Sequence, residues 1–329
     1  MKLLVVSMCK DEAETVGQVL DRIPKKISGI DTIEKWVIDD GSTDNTAAEA
    51  KKHGAKVLSD GVHKKLAHRF REATELALSR GADVMVNIDG DLQFMPEEIP
   101  ELIKPIIKNE ADFVAADRFT DAKTGRRRRP ENMPLAKYWS NKMGAKVIGK
   151  FSKRRFADVT CGFRAYNRNA LYALNLHGSY TYTQESFQVL AMKNMRITSV
   201  PTTIKYYPGR KSRVVRNFSQ FLFGSSINIL RAYRDYAPLR FFGGLGGFFF
   251  VVGLICLILT GIHWIVTSQI TPYKFLGFAG LYFITLSFVV WIVGIMADML
   301  DRLLGNQEKI IERLKRTEYG DDPKDTDTR

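Results

Sequence analysis

Apolar and polar positions alternate in short blocks over the first two thirds of the chain, and long apolar blocks follow. Residues 3–8, LLVVSM, carry no charge and predict a buried strand. A polar turn, CKDEAET, comes next, and apolar positions at helical spacing predict a helix over 16–23. A second strand over 33–38 ends in DDGSTDNT, where Gly41 suits a tight turn and Ser42, Thr43 or Asp44 can cap a helix over 47–52. A short strand at 55–58 and a helix at 66–78 follow. Residues 84–94, VMVNIDGDLQF, predict a strand that runs into an acidic end. Pro96 then opens a helix with Glu97 and Glu98 in its first turn, and 113–116 form another strand. Strands alternating with helices predict an α/β fold, with a Rossmann-like, mostly parallel sheet covered on both faces.

The pattern changes after Asp117. RFTDAKTGRRRRPEN is polar and rich in Arg, and predicts a loop without regular structure. A helix is expected over 135–148, a short strand or hairpin in ADVTCGFRAY, and helices over 167–174 and 183–192. ITSVPTTIKYY reads as paired short strands around Pro201.

Residues 218–236 are amphipathic, with Lys205, Arg210, Lys211, Arg213 and Arg216 just upstream, a combination suited to a membrane interface. Residues 241–266 and 275–297 contain no Asp, Glu, Lys or Arg. Each run exceeds the roughly 20 residues that span a bilayer, and the short TSQITPYK link makes them a transmembrane hairpin. A charged amphipathic helix is expected from 298 to 316, before an acidic, disordered end. The expected organisation is therefore a catalytic domain at 1–210, interfacial helices at 211–240, the hairpin at 241–297, and a C-terminal helix and tail at 298–329.

Composition adds a direction. The formal net charge is +13, which points to anionic partners, and the apolar runs favour a membrane over nucleic acid. Arg231, Arg234 and Arg240 precede the first run, and Arg302, Lys309, Arg313, Lys315 and Arg316 follow the second, whereas the link has only Lys274. By the positive-inside rule both termini face the cytosol, giving a multi-pass plasma-membrane protein with a cytosolic catalytic domain. The three cysteines, Cys9, Cys161 and Cys256, are scattered and signal neither a zinc site nor a disulfide framework. The stretch MKLLVVSM is too short for a signal peptide and reads as the first strand.

The candidate chemistry lies in DGDLQ. In an extended segment Asp89 and Asp91 point to one side, at a strand end where α/β folds collect ligands. Two hard oxygen donors there suit Mg²⁺ or Mn²⁺ carrying a diphosphate. The alternative is a strand that ends in a solvated acidic turn.

Several motifs resemble family 2 glycosyltransferases. CKDEAET is similar to the family's N-terminal N-E-x-E element, DDGSTD to its nucleotide-binding turn, and DGDLQ to its metal-binding D-x-D-x-Q, in an order that fits the GT-A fold. DVTCGFRAY, TQES, PGRKSR and the hairpin look like the polyprenyl-phosphate branch, which includes dolichyl-phosphate mannose synthases and undecaprenyl-phosphate glucosyltransferases. Asp11 stands where the family usually has Asn, KKLAH lacks the usual glycines, and Gly90 replaces the common central Ala. No Q-x-x-R-W element of a processive synthase is present.

The resemblance implies transfer of one hexose from a UDP- or GDP-linked sugar to polyprenyl phosphate, with inversion. Met8, Glu12, Asp39, Asp40 and Asp89 are the expected nucleotide contacts, and Asp89, Asp91 and Gln93 the expected shell of Mg²⁺ or Mn²⁺. Arg118, Arg126, Arg127, Arg128, Arg129, Arg210, Ser212 and Arg213 are expected around the acceptor phosphate, for which guanidinium geometry is suited. Asp158, then Glu185, are the candidates to orient the nucleophile or donor sugar, unless either is a structural carboxylate paired with a neighbouring Arg. The expected partners are nucleotide sugar, polyprenyl phosphate and the bilayer, without nucleic acid; a homo-oligomer is compatible with the sequence. Two other readings are a sugar nucleotidyltransferase, which would want a Gly-rich phosphate loop after the first strand, and a non-catalytic membrane scaffold.

Overall fold

The computed structural model describes residues 1–121, 124–151, 155–176, 182–206, 234 and 237–320. Arg210, Ser212 and Arg213, the tail from 321, and the amphipathic segment at 218–236 apart from Arg234 lie outside the described residues. Two compact units are present: Met1–Arg210 with Glu312–Arg329, and Lys211–Ile311.

The first unit is built on a seven-stranded sheet in the order β3-β2-β1-β4-β6-β5-β7. β1 (Lys2–Cys9) pairs in parallel with β2 (Thr32–Asp39) and β4 (Val84–Asn87), and β3 (Lys56–Ser59) extends the sheet beyond β2. β6 (Arg164–Asn167) runs antiparallel between β4 and β5 (Phe113–Asp117). β7 (Ile197–Pro201) closes the far edge, parallel to β5. ITSVPTTIKYY is thus not a pair of strands bonded to each other. Its first half joins the main sheet, and Ile204 bridges instead to Phe94, beside the acidic loop.

Alternation along β1 explains the two cores. Leu4, Val6 and Met8 face one side, packed with Phe70 of α3 (Leu66–Ser79), Leu171 of α6 (Arg168–Ala173) and Phe187 of α7 (Thr183–Met192). Leu3, Val5 and Cys9 face the other, with Val16 and Val19 of α1 (Val16–Asp21) and Leu102 and Ile103 of α4 (Ile99–Ile107). Strands buried on both faces read as continuous apolar runs, as β1 and β4 do. α2 (Thr46–Lys52) lies between β2 and β3 in the chain, and α5 (Leu135–Phe151) follows β5.

The last turns of α9 (Lys274–Glu318) belong to this unit. Lys315 Nζ donates to Leu174 O at 2.8 Å and Lys193 Nζ to Ala173 O at 2.8 Å, so two ammonium groups meet the carbonyl end of α6. Arg168 Nη2 adds a bond to Tyr319 O at 2.7 Å. Nothing in the chemical pattern of α9 announces this contact.

In the second unit, α8 (Pro238–Thr267) and α9 are each long and apolar enough to cross a membrane. They meet closely at Gly253 and Gly280, where a β-carbon on either would lie 2.8 or 2.9 Å from the other's carbonyl oxygen. Ser287 is fully buried at the same seam. Large side chains point away from it, with Ile265 75% and Phe278 74% exposed, as lipid-facing positions of a hairpin would be and core helices are not.

Candidate active site

The chain leaves β1 toward β2 and β3, then returns to β4 on the other side of β1. This switch point lies at the carboxyl ends of β1 and β4, the place where open α/β sheets bind ligands. The loops after β1, β2 and β4 meet there. Asp11 N donates to Ser42 Oγ at 2.9 Å, and Thr43 N donates back to Asp11 Oδ1 at 2.8 Å. Glu12 N donates to Thr46 Oγ1 at 2.8 Å. The Thr15 hydroxyl lies 2.7 Å from Gly90 O and 3.1 Å from Glu12 Oε2, and so links the first loop to the acidic one. Gly41 has φ +67°, and a β-carbon there would meet the backbone at Val62 and His63 at 2.8 Å, so only glycine fits this turn.

Asp39 and Asp40 are buried at the end of β2. Asp39 accepts from Ser42 N at 3.1 Å and Ser59 Oγ at 2.7 Å. Asp40 Oδ1 accepts from Lys64 N at 2.7 Å and Arg69 Nε at 3.0 Å, while His63 Nδ1 lies 2.7 Å from Oδ2. Arg69, 1% exposed, also holds Asp60 at 2.6 Å and Glu72 at 2.7 Å. Sequence reasoning missed Arg69; its signal was a charge set among the buried face of α3, with Ala67, Phe70 and Ala73. Met8 is buried at the end of β1, in the core shared with α3.

The acidic motif departs from the expected geometry. β4 ends at Asn87, so Asp89 and Asp91 sit beyond the strand in a turn where Leu92 has φ +60°. An extended backbone is therefore not what relates them. Gln93 N donates to Asp91 Oδ1 at 3.1 Å, and Gln93 O accepts from Lys205 N at 2.9 Å, which fixes the loop against the segment after β7. Asp89 packs on Gly162, where a β-carbon would come within 2.6 Å of its carboxylate. Burial pushes the Asp89 carboxyl up to about 7, and the charge of Asp91 adds to this, while Arg118 and Arg164 oppose it.

A buried carboxylate whose neighbour's charge makes ionisation costly forms a site that a dication would relieve, and hard oxygen donors suit Mg²⁺ or Mn²⁺. Among the described residues no group of three or more His, Cys, Asp or Glu converges as a metal site. The donor set thus fits an ion held by one or two carboxylates together with substrate phosphates.

Beside this pair lies a buried ion pair. Both oxygens of Asp158 accept from Arg118, through Nε and, at 2.8 Å, through Nη2. Arg118 also donates to Thr160 Oγ1 at 2.6 Å and to Tyr206 OH at 3.3 Å. Burial alone would raise the Asp158 carboxyl; the charge and hydrogen bonds of Arg118 hold it below the ordinary range. The pairing with a neighbouring Arg, left open by the sequence, is present. Lys137, in α5, stacks over the Tyr206 ring at 4.9 Å. Burial and Arg118 lower its pKa against the pull of Asp91, Asp158 and Asp89. Sequence reasoning missed it, because one lysine in a lysine-rich helix carries no distinguishing pattern.

Arg164 is fully buried, donating to Cys161 O at 2.6 Å, Ser186 Oγ at 2.6 Å and Val159 O at 3.0 Å. It pins the loop that carries Asp158 and Gly162. Glu185 lies half-buried in the first turn of α7. Arg126, Arg127, Arg128 and Arg129 are all exposed. Their segment is more ordered than a plain loop: Thr120 bridges to Arg127, and Asp121 N donates to Arg126 O at 3.0 Å.

Residues 4–174, just over half the chain, match the family described as Glycosyl transferase family 2. The chain belongs to glycosyl transferase family 2. Membership makes it a glycosyltransferase, which sets aside the nucleotidyltransferase and scaffold readings. It is 26% identical over 312 residues to glycosyltransferase AglJ of Haloferax volcanii, covering 93% of this chain and 95% of that protein. It is 29% identical over 188 residues to dolichol-phosphate mannosyltransferase of Pyrococcus furiosus, covering 54% of this chain and 49% of the relative. Among solved structures, glucosyl-3-phosphoglycerate synthase from Mycobacterium tuberculosis, in complex with Mn²⁺, UDP and glucosyl-3-phosphoglycerate, superposes with TM-score 0.52. That match has 19% identity and covers 69% of this chain and 79% of the other, a likeness of fold.

Proposed function

We propose that this family 2 enzyme transfers one hexose from a UDP- or GDP-linked sugar to a polyprenyl phosphate, dolichyl or undecaprenyl, at the cytosolic face of the cell membrane, with inversion at the anomeric carbon. The observation that carries the reading is the adjacency of an acidic pair, Asp89 and Asp91, to a basic group, Arg118 and Lys137, at the sheet's switch point. An acidic pair suits a metal–diphosphate donor, and a basic group suits an anionic acceptor.

Glu12, Asp39 and Asp40 are assigned to the donor, because ribose hydroxyls and base N–H groups are donors that carboxylates accept. Asp89, Asp91 and Gln93 would hold Mg²⁺ or Mn²⁺, which when bound neutralises the diphosphate leaving group. A neighbour of the same fold was solved with Mn²⁺ and UDP, which supports the use of a divalent ion. A phosphate monoester has a second pKa near 6, so its attacking oxygen is already largely ionised in the cytosol. It needs positioning more than a base. Asp158, sealed by Arg118, then serves to hold that guanidinium in place, and Lys137 and the arginines at 126–129 draw the phosphate in. The dolichol-phosphate relative and the two apolar helices favour a lipid carrier over a soluble acceptor.

The assignment of the acidic pair is tested with Asp91→Asn. Mn²⁺-dependent UDP or GDP binding by the purified full chain should fall by more than tenfold, with an unchanged unfolding midpoint. Undiminished metal-dependent binding would remove Asp91 from the site.

A further inference from the structure

α5 has two faces of different character. Lys137, Asn141, Ala145 and Ile148 recur at helical spacing on the inner face; Asn141, Ala145 and Ile148 are buried, and Lys137 is half-buried. Leu135, Trp139 and Met143, at i, i+4 and i+8, form the outer face and are 61%, 61% and 51% exposed. Single exposed apolar residues need no explanation, but three aligned on one helix face form a stripe. Lys142 and Lys146 are exposed between and beyond them, and the Lys142 ammonium lies 5.1 Å from the Trp139 ring. The exposed arginines at 126–129 precede the helix, and Phe119 ties their segment to α5 through an edge contact with Tyr138 at 5.5 Å.

We propose that the outer face of α5 is a membrane-surface contact. Leu135, Trp139 and Met143 lodge at the headgroup level, and Lys142, Lys146 and the arginines at 126–129 lie against anionic lipid phosphates. Charge selects this occupant. Lys142 and Lys146 on the face are basic, and the approach carries four arginines, of which Arg128 pairs with Asp121, against one exposed acid, Glu131. Tryptophan with lysine around aliphatic side chains is the composition of an interfacial helix. A bilayer is also at hand, since the same chain carries two helices able to span one. The inner face explains the use. Lys137 stacks on Tyr206, which accepts from Arg118, so seating α5 on the membrane sets the basic side of the site at the depth of a lipid phosphate. This consequence rests on the acceptor proposed above; the contact itself does not.

The test uses the full chain in single-copy lipid nanodiscs without substrates, so its outcome is independent of whether transfer occurs. With Cys256→Ser as background, Met143→Cys is labelled with an environment-sensitive fluorophore. A matched label at Lys51→Cys lies on α2, at the opposite edge of the sheet from β5. In discs of brominated phosphatidylglycerol, quenching at 143 should be several-fold greater than at 51, and it should weaken when Lys142→Ser and Lys146→Ser are added. Equal quenching at the two positions would overturn the proposal. So would efficient disulfide formation between unlabelled Met143→Cys chains in detergent, which would assign the face to a second copy.

Discussion

The sulfur of Cys9 lies 2.5 Å from the point that a β-carbon on Gly90 would occupy. The space that a β-carbon would need there is filled from the neighbouring strand, β1. Gly90→Ala should therefore destabilise the protein by about 1–3 kcal/mol through overpacking. Cys9→Ala added to it should recover much of that loss, with a coupling of about 1 kcal/mol in a double-mutant cycle. Denaturant unfolding of the four proteins measures it, and strictly additive effects would deny the contact.

Arg118 and Asp158 should behave as one unit. Asp158→Asn leaves a buried guanidinium without its counter-charge, and a loss of about 3–5 kcal/mol is expected. Because the folded carboxyl is held below its ordinary value, the pair's contribution is complete above about pH 4 and is lost as pH falls through the depressed value. The wild type and Asp158→Asn should therefore converge in thermal stability on acidification. A gap between them that stays constant into strong acid would contradict the pairing.

The arginines at 126–129 are assigned to the acceptor and not to the nucleotide. Replacing all four with Ser should raise the KM for polyprenyl phosphate by about tenfold or more, the loss of one to two charge-assisted contacts, and leave that for nucleotide sugar within about twofold. Steady-state kinetics with each substrate varied separately decides this. Equal changes in both constants would move these arginines away from the acceptor.

Much of the first unit is legible in the sequence, for physical reasons that particular residues make clear. β1 and β4 are apolar because both their faces are covered, and Gly41 marks a turn that no β-carbon could enter. The relation between Asp89 and Asp91 was not legible. It depends on β4 ending at Asn87, so that both carboxylates stand beyond the strand and not on an extended segment. Leu92, at φ +60°, and Lys65, at φ +72°, hold backbones that their side chains do not advertise. Arg118 and Asp158 are 40 positions apart, and the carbonyl partners of Arg164 carry no side-chain signal at all. Partnerships of this kind appear only once β6 has been threaded antiparallel between β4 and β5.

The central claim is the acceptor. Membranes containing the full chain are incubated with Mg²⁺ or Mn²⁺, polyprenyl phosphate and, in turn, each radiolabelled UDP- and GDP-hexose, and the organic extract is analysed by mass spectrometry. One nucleotide sugar should give a lipid product heavier than the carrier by a single hexose residue, absent with Asp91→Asn. Label appearing only in a water-soluble phosphorylated acceptor, with none in the lipid, would contradict the account.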